Sequence, residues 1–247
     1  MNKKNNFMTN SDLRGGQMLT RVNRRYFLRS AGVATTLGVF VLGACKDHDI
    51  VPGIDGATVD LGEGDVGILN YAYALEQLEA AFYTEAVAKP YAGMTDMEMR
   101  MLTDIRDHEI IHRDFFQAAL TPTGMIIPGL ALDFSSVDFS SRASVLGTAK
   151  VLEDTGVAAY NGAGKLITTP DYLVLAGKIV SVEARHAAAI RDLLMPNTTS
   201  FAGDDIVDAQ VNGMMFGLDR ATPPKQILPA VQPFFKTTLT ANASVFQ

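Results

Sequence analysis

Carboxylates and imidazoles recur in this chain at a spacing that suits only a helix. Glu76 is followed 33 residues later by Glu109-Ile110-Ile111-His112, and Glu153 is followed 30 residues later by Glu183-Ala184-Arg185-His186. Residues three apart share a face of an α-helix, whereas on a strand they point to opposite sides. Each Glu-x-x-His therefore offers an oxygen and a nitrogen to one point. The flanking residues repeat as well. Leu69, Ala72, Leu75 and Glu76 align with Leu146, Ala149, Leu152 and Glu153, and a tyrosine follows each glutamate by seven positions (Tyr83 and Tyr160). Ile105 and Ile179 stand four residues before the two Glu-x-x-His pairs, and Phe116 and Ile190 four residues after them. One helical hairpin is used twice, and an internal repeat governs the reading of everything local to it.

Two lone glutamates and two Glu-x-x-His pairs form the donor set with which all-α four-helix bundles hold a di-iron or di-manganese centre. The expected metal ligands are Glu76, Glu109, His112, Glu153, Glu183 and His186. Glu109 and Glu183 would bridge, Glu76 with His112 would cap one side, and Glu153 with His186 the other. Glu79 shares a face with Glu76, but the repeat maps it onto Gly156. Glu76 is therefore the expected ligand, and Glu79 an alternate or supporting carboxylate. These residues lie on faces otherwise lined by Leu, Ile, Ala, Phe and Tyr, and four uncompensated carboxylates there would be severely unfavourable. Two divalent cations balance them, and an oxygen-rich set with imidazole favours two Fe or Mn ions over zinc or copper. The alternative is a metal-free bundle in which carboxylates and imidazoles share protons.

Other residues carry weaker signals. His108 adjoins Glu109 on another face and is expected to be exposed or to stand behind a ligand. Tyr83 and Tyr160 are expected mainly to fill the core, with a hydrogen bond to a ligand carboxylate as the lesser expectation. Met94, Met97, Met99 and Met101 could form a soft copper-binding run but suit gap-filling better. Asp104, Asp107 and Asp114 read as a solvated face.

The N-terminus reads as a targeting segment. Asn23-Arg24-Arg25-Tyr26-Phe27-Leu28-Arg29 resembles a twin-arginine export motif, with Arg24 and Arg25 its signal residues. The apolar run from Ala31 to Val41 is too short to span a bilayer. Leu42-Gly43-Ala44-Cys45 resembles a lipobox, making Cys45 the lipidation site and a lipid the expected membrane attachment. Lys46-Asp47-His48-Asp49 resembles a surface-export tag and equally suits a solvated linker. The expected location is the cell envelope, periplasmic or at the outer-membrane surface. Cys45 is the chain's one cysteine, so disulfides, Fe–S clusters and thiolate zinc sites are disfavoured. Of the 21 basic and 27 acidic residues, seven and one precede Cys45, leaving a net charge of −12 on the remainder. A surface of that sign repels nucleic acid and anionic lipid headgroups.

Four segments follow: a signal segment over residues 1–45, a tether over 46–64, a four-helix bundle over 65–195 and a C-terminal extension over 196–247. Helices are expected from Asp65 to about Ala88, from the capping box Thr95-Asp96-Met97-Glu98 to about residue 120, from Ser140 or Ser141 through Tyr160, and from Thr169-Pro170-Asp171 to Pro196. The stretch from about 121 to 140 is long for a loop and suits the crossover between two hairpins. The tail is expected to be polar with at most a short helix, opened by Thr222-Pro223-Pro224.

The stretches Leu69 to Tyr83, Leu152 to Tyr160 and Val182 to Ala187 resemble the ferritin-like domain family that includes desiccation-related plant and bacterial proteins. The resemblance implies a ferritin-like bundle with the six ligands named above. It also implies a di-metal oxidoreductase of ferroxidase, peroxidase or catalase type, acting on ferrous iron, dioxygen or peroxide. A non-catalytic envelope scaffold linked to desiccation or other stress is the alternative.

Overall fold

The computed structural model describes residues 56–211 and 214–241. Arg24, Arg25, Cys45 and His48 lie outside the described residues. Four long helices dominate: α1 (Gly64–Ala88), α2 (Asp96–Leu120), α3 (Arg142–Gly164) and α4 (Pro170–Leu194). α1 packs mainly on α2, and α3 mainly on α4, giving the two expected hairpins. Among the described residues no helix is long and apolar enough to cross a membrane.

The helix ends follow local chemistry. Thr95 caps α2 by accepting from the Glu98 backbone N–H, while the Glu98 carboxylate accepts from the Thr95 N–H, so two otherwise unpaired donors are satisfied reciprocally. Glu98 also receives Arg142 at 2.7 Å, and Arg142 donates to the carbonyl of Leu193, which ties the two hairpins together. Ser141 caps α3, and Pro170 opens α4, where its missing N–H costs nothing.

Residues from Gly67 to Ala80 of α1 are all buried, so this helix lacks a solvated face over that stretch. The crossover between α2 and α3 covers its outer side. Two buried amides on α1 hold it there. Asn70 donates to the carbonyls of Leu61 (3.0 Å) and Met125 (2.8 Å) and accepts from the Ile127 N–H. Gln77 accepts from the Leu130 N–H at 2.9 Å. An extended strap against a helix has backbone groups that neither element pairs internally, and these side chains satisfy them.

The segments flanking the bundle are more structured than expected. Thr58–Asp60, placed by sequence within the tether, forms β1 and pairs in parallel with β4 (Thr238–Thr240); Leu61 after it is fully buried. The tail contains the antiparallel pair β2 (Val207–Val211) and β3 (Met214–Asp219), where a short helix at most was expected. The short helix α5 (Pro224–Val231) does begin at the expected prolines and buries Ile227 and Val231. The tail grips α3 closely. The Thr222 N–H donates to the Ala158 carbonyl, and a Cβ on Gly162 would stand 1.9 Å from the Thr222 oxygen. On α4, buried Arg191 makes a two-pronged contact with Asp154 of α3 (2.8 and 2.7 Å) and reaches Asp205 of the tail at 2.6 Å.

Candidate metal centre

Each helix brings its acidic or imidazole residues to the inside of the bundle. Glu76, Glu109, Glu153 and Glu183 have no solvent exposure, and His186 is buried. His112 and His186 each turn Nδ1 inward. His112 Nδ1 lies 3.1 Å from Glu183, 3.3 Å from Glu109 and 3.4 Å from Glu76. His186 Nδ1 lies 2.8 Å from Glu109 and 3.5 Å from Glu153.

The six residues fall into two overlapping groups. One donor atom from each of Glu76, Glu109, His112 and Glu183 lies within 4.8 Å of the others, and the same holds for Glu109, Glu153, Glu183 and His186. Glu109 and Glu183, the expected bridging pair, belong to both groups.

The remaining oxygens of the two outer glutamates are already occupied. Tyr160 donates to Glu76 Oε1, and Tyr83 donates to Glu153 Oε1 at 2.6 Å. The tyrosine of each hairpin thus serves the glutamate of the other. Both tyrosines are buried in the core, as expected, but the exchange between hairpins was invisible in the sequence, where each tyrosine stands beside its own glutamate. Once Tyr160 and Tyr83 are counted, Glu76 and Glu153 each keep Oε2 for the interior.

Those inner atoms meet the imidazoles only in ion-pair contacts and have no well-aligned hydrogen bond. Glu76 Oε2, Glu109 Oε1, Glu153 Oε2, both oxygens of Glu183 and Nδ1 of His186 are buried without an aligned hydrogen bond. His186 Nδ1 and Glu109 Oε1 are close enough to attract but are not aimed at one another. Buried polar atoms normally find partners, and a set of them converging on shared points fits cations between them. The donors are four carboxylates and two imidazoles, whose charge two divalent cations would balance.

The electrostatics express the same crowding. Burial alone would push the His112 imidazole down, but Glu109, Glu183 and Glu76 outweigh it and hold the ring at about 12. His186, likewise pushed down by burial, is held at about 10 by Glu109 and Glu153. Burial raises Glu109, but its contacts with both imidazoles bring it to about 2. Glu76 rises to about 7 through burial, with His112 opposing. Glu183 is pushed well above the carboxylate range by burial and then by Glu109. Without cations, protons on both imidazoles and on part of the carboxylate set offset the negative charge.

Glu79 also faces this interior. It is buried, its Oε2 has no hydrogen-bond partner, and burial followed by Glu183 raises it strongly. Its repeat mate Gly156 makes room: a Cβ there would meet Glu79 Oε1 at 3.1 Å and Glu183 Oε2 at 3.5 Å. Glu79 stands outside both donor groups. His108, expected to be exposed or behind a ligand, has its side chain at the surface, and its Nδ1 contacts Nε2 of His186 at 2.9 Å. Met94 and Met101 pack against the core, while Met97 is exposed.

Two helical hairpins joined by a long crossover, enclosing a buried glutamate and histidine cluster able to hold metal, define a ferritin-like carboxylate bundle. The ferritin-like domain model matches residues 64–196, more than half of the chain, and the chain belongs to that family. No curated protein matches it significantly.

Proposed function

We propose that the bundle is a two-ion iron or manganese centre that oxidises ferrous iron or removes peroxide at the cell envelope. The observation that carries this reading is the convergence on shared points of buried donor atoms from Glu76, Glu109, Glu153, Glu183 and His186 that have no aligned hydrogen bond. Glu76, Glu109, His112 and Glu183 would hold one ion, and Glu109, Glu153, Glu183 and His186 the other. Such a pair, when bound, supplies two-electron exchange with dioxygen or peroxide. The chain's own part is to orient the donors and keep bulk water away. Tyr160 and Tyr83 pin the outer glutamates through one oxygen each, so those carboxylates need little reorganisation to accept an ion. The imidazoles surrender a proton at Nδ1 when they become ligands. Export by a twin-arginine signal at Arg24-Arg25 and a lipid on Cys45 would hold the bundle at the membrane surface; the −12 charge beyond Cys45 supports a protein that avoids nucleic acid.

A second reading has its own support. His112 at about 12 and His186 at about 10 let the cluster neutralise itself with protons, which suits a metal-free scaffold with a stress role in the envelope. Elemental mass spectrometry of the protein, prepared without chelator, separates the two. About two iron or manganese atoms per chain is the expected result. None after anaerobic loading with ferrous iron or manganous ion would leave the scaffold.

A further inference from the structure

The two halves of the cluster differ behind their histidines. His108 Nδ1 meets His186 Nε2 at 2.9 Å, and the rings are inclined by only 10° with centroids 5.2 Å apart. A nitrogen contact that short at that centroid spacing describes rings joined edge to edge in nearly one plane. By the repeat, His108 of α2 corresponds to Val182 of α4, so the other half has no matching imidazole. Among the described residues His112 makes its polar contacts through Nδ1 alone.

The direction of the contact follows from chemistry. His186 can ligate through Nδ1 only if that nitrogen carries its lone pair, which puts the ring proton on Nε2. If His186 is instead doubly protonated, Nε2 again carries a proton. In both states Nε2–H is the donor and His108 Nδ1 the acceptor.

We propose that His108 is a positioning residue for His186, holding its Nδ1 toward Glu109 and Glu153 and making the Glu109, Glu153, Glu183 and His186 half the tighter of two cation sites. The proposal rests on the two-ion reading above. An acceptor behind a ligating imidazole fixes its tautomer and orientation and raises its basicity; losing such a partner typically lowers metal affinity about 10–100-fold. His112, lacking one, holds its ion more weakly, so the ions load in sequence.

The test is an anaerobic titration of the full chain with manganous ion, reading free ion by electron paramagnetic resonance. The parent should show two unequal dissociation constants. His108→Ala should weaken the tighter one about 10–100-fold, and His108→Gln, whose amide oxygen can accept the same hydrogen bond, should restore part of the loss. Two backgrounds assign the half. In Glu76→Ala, which spares the His186 half, adding His108→Ala should weaken the remaining site; in Glu153→Ala it should leave the remaining site unchanged. Thermal unfolding of the metal-free protein checks that each variant folds. A parent that binds two ions with constants unmoved by His108→Ala would overturn this inference alone, as would an equal loss in both backgrounds. A folded parent that binds no manganese would overturn the two-ion reading and this inference with it.

Discussion

The first hairpin, α1 with α2, and the second, α3 with α4, present nearly the same residues to the interior and quite different ones to what lies outside. Glu76 matches Glu153, the two Glu-x-x-His pairs match, and Tyr83 matches Tyr160. One residue past each lone glutamate the two hairpins differ. Gln77 turns outward to hold the crossover through Leu130, whereas its counterpart Asp154 turns outward to hold Arg191. Glu85 corresponds to Gly162, and only the second half needs glycine, because the tail backbone at Thr222 presses on α3 there. Inner positions face a shared chemical demand and stay alike, with Glu79 and its mate Gly156 the exception. Outer positions face different neighbours, a strap on one side and a tail on the other, and are free to differ.

The largest expected effect tests the shared interior. Glu109→Ala or Glu183→Ala removes a donor from both groups and should reduce bound metal from about two ions per chain to nearly none. Glu76→Ala or Glu153→Ala should cost one ion. Equal losses from all four variants, by elemental analysis, would break the distinction between bridging and capping glutamates.

pH dependence comes next. Without metal, His112 at about 12 and His186 at about 10 are both protonated near neutrality. Both folded values lie above the ordinary imidazole value, so coordination must expel these protons, and affinity must rise with pH until each ring's own value is passed. Two protons released imply that loading both ions tightens by roughly a hundredfold per pH unit between pH 6 and 8, with more if Glu183 also yields one. Proton release measured by calorimetry in buffers of different ionisation heat checks the count. A pH-independent affinity would show that the histidines are not ligands.

The outer difference is tested by Gly162→Ala. With the Thr222 oxygen 1.9 Å from the added methyl, the tail must shift, at a cost of about 1–3 kcal/mol in urea unfolding, with increased proteolysis near Thr222. Metal stoichiometry should not change, since the glycine lies outside the donor set.

An effect of similar size should come from the paired tyrosines. Tyr83→Phe and Tyr160→Phe each leave one buried carboxylate oxygen without its donor and should cost about 1–3 kcal/mol of metal-free stability. Similar losses would support the exchange between hairpins as a symmetrical device. A large loss in one variant alone would show that the two contacts carry unequal weight.

Much of this organisation is visible in the chain itself. Periodicity places the four long helices, the Thr95 to Glu98 capping box and Pro170 mark two starts, and the repeat selects Glu76 over Glu79 as the residue belonging to a donor group. These are local signals: a helix face and a cap are settled by residues three or four positions apart, so their spacing in sequence is their spacing in space. What depends on distant partners is not visible. That Tyr83 serves Glu153, that Asn70 and Gln77 pin the crossover, that Thr58–Asp60 pairs with Thr238–Thr240, and that His108 meets His186 are all decided when the hairpins and the segments flanking them dock. The sequence by itself determined which side chains a helix would turn inward. Only the tertiary structure decided which of them meet, because hydrogen bonding between remote segments depends on how whole helices pack.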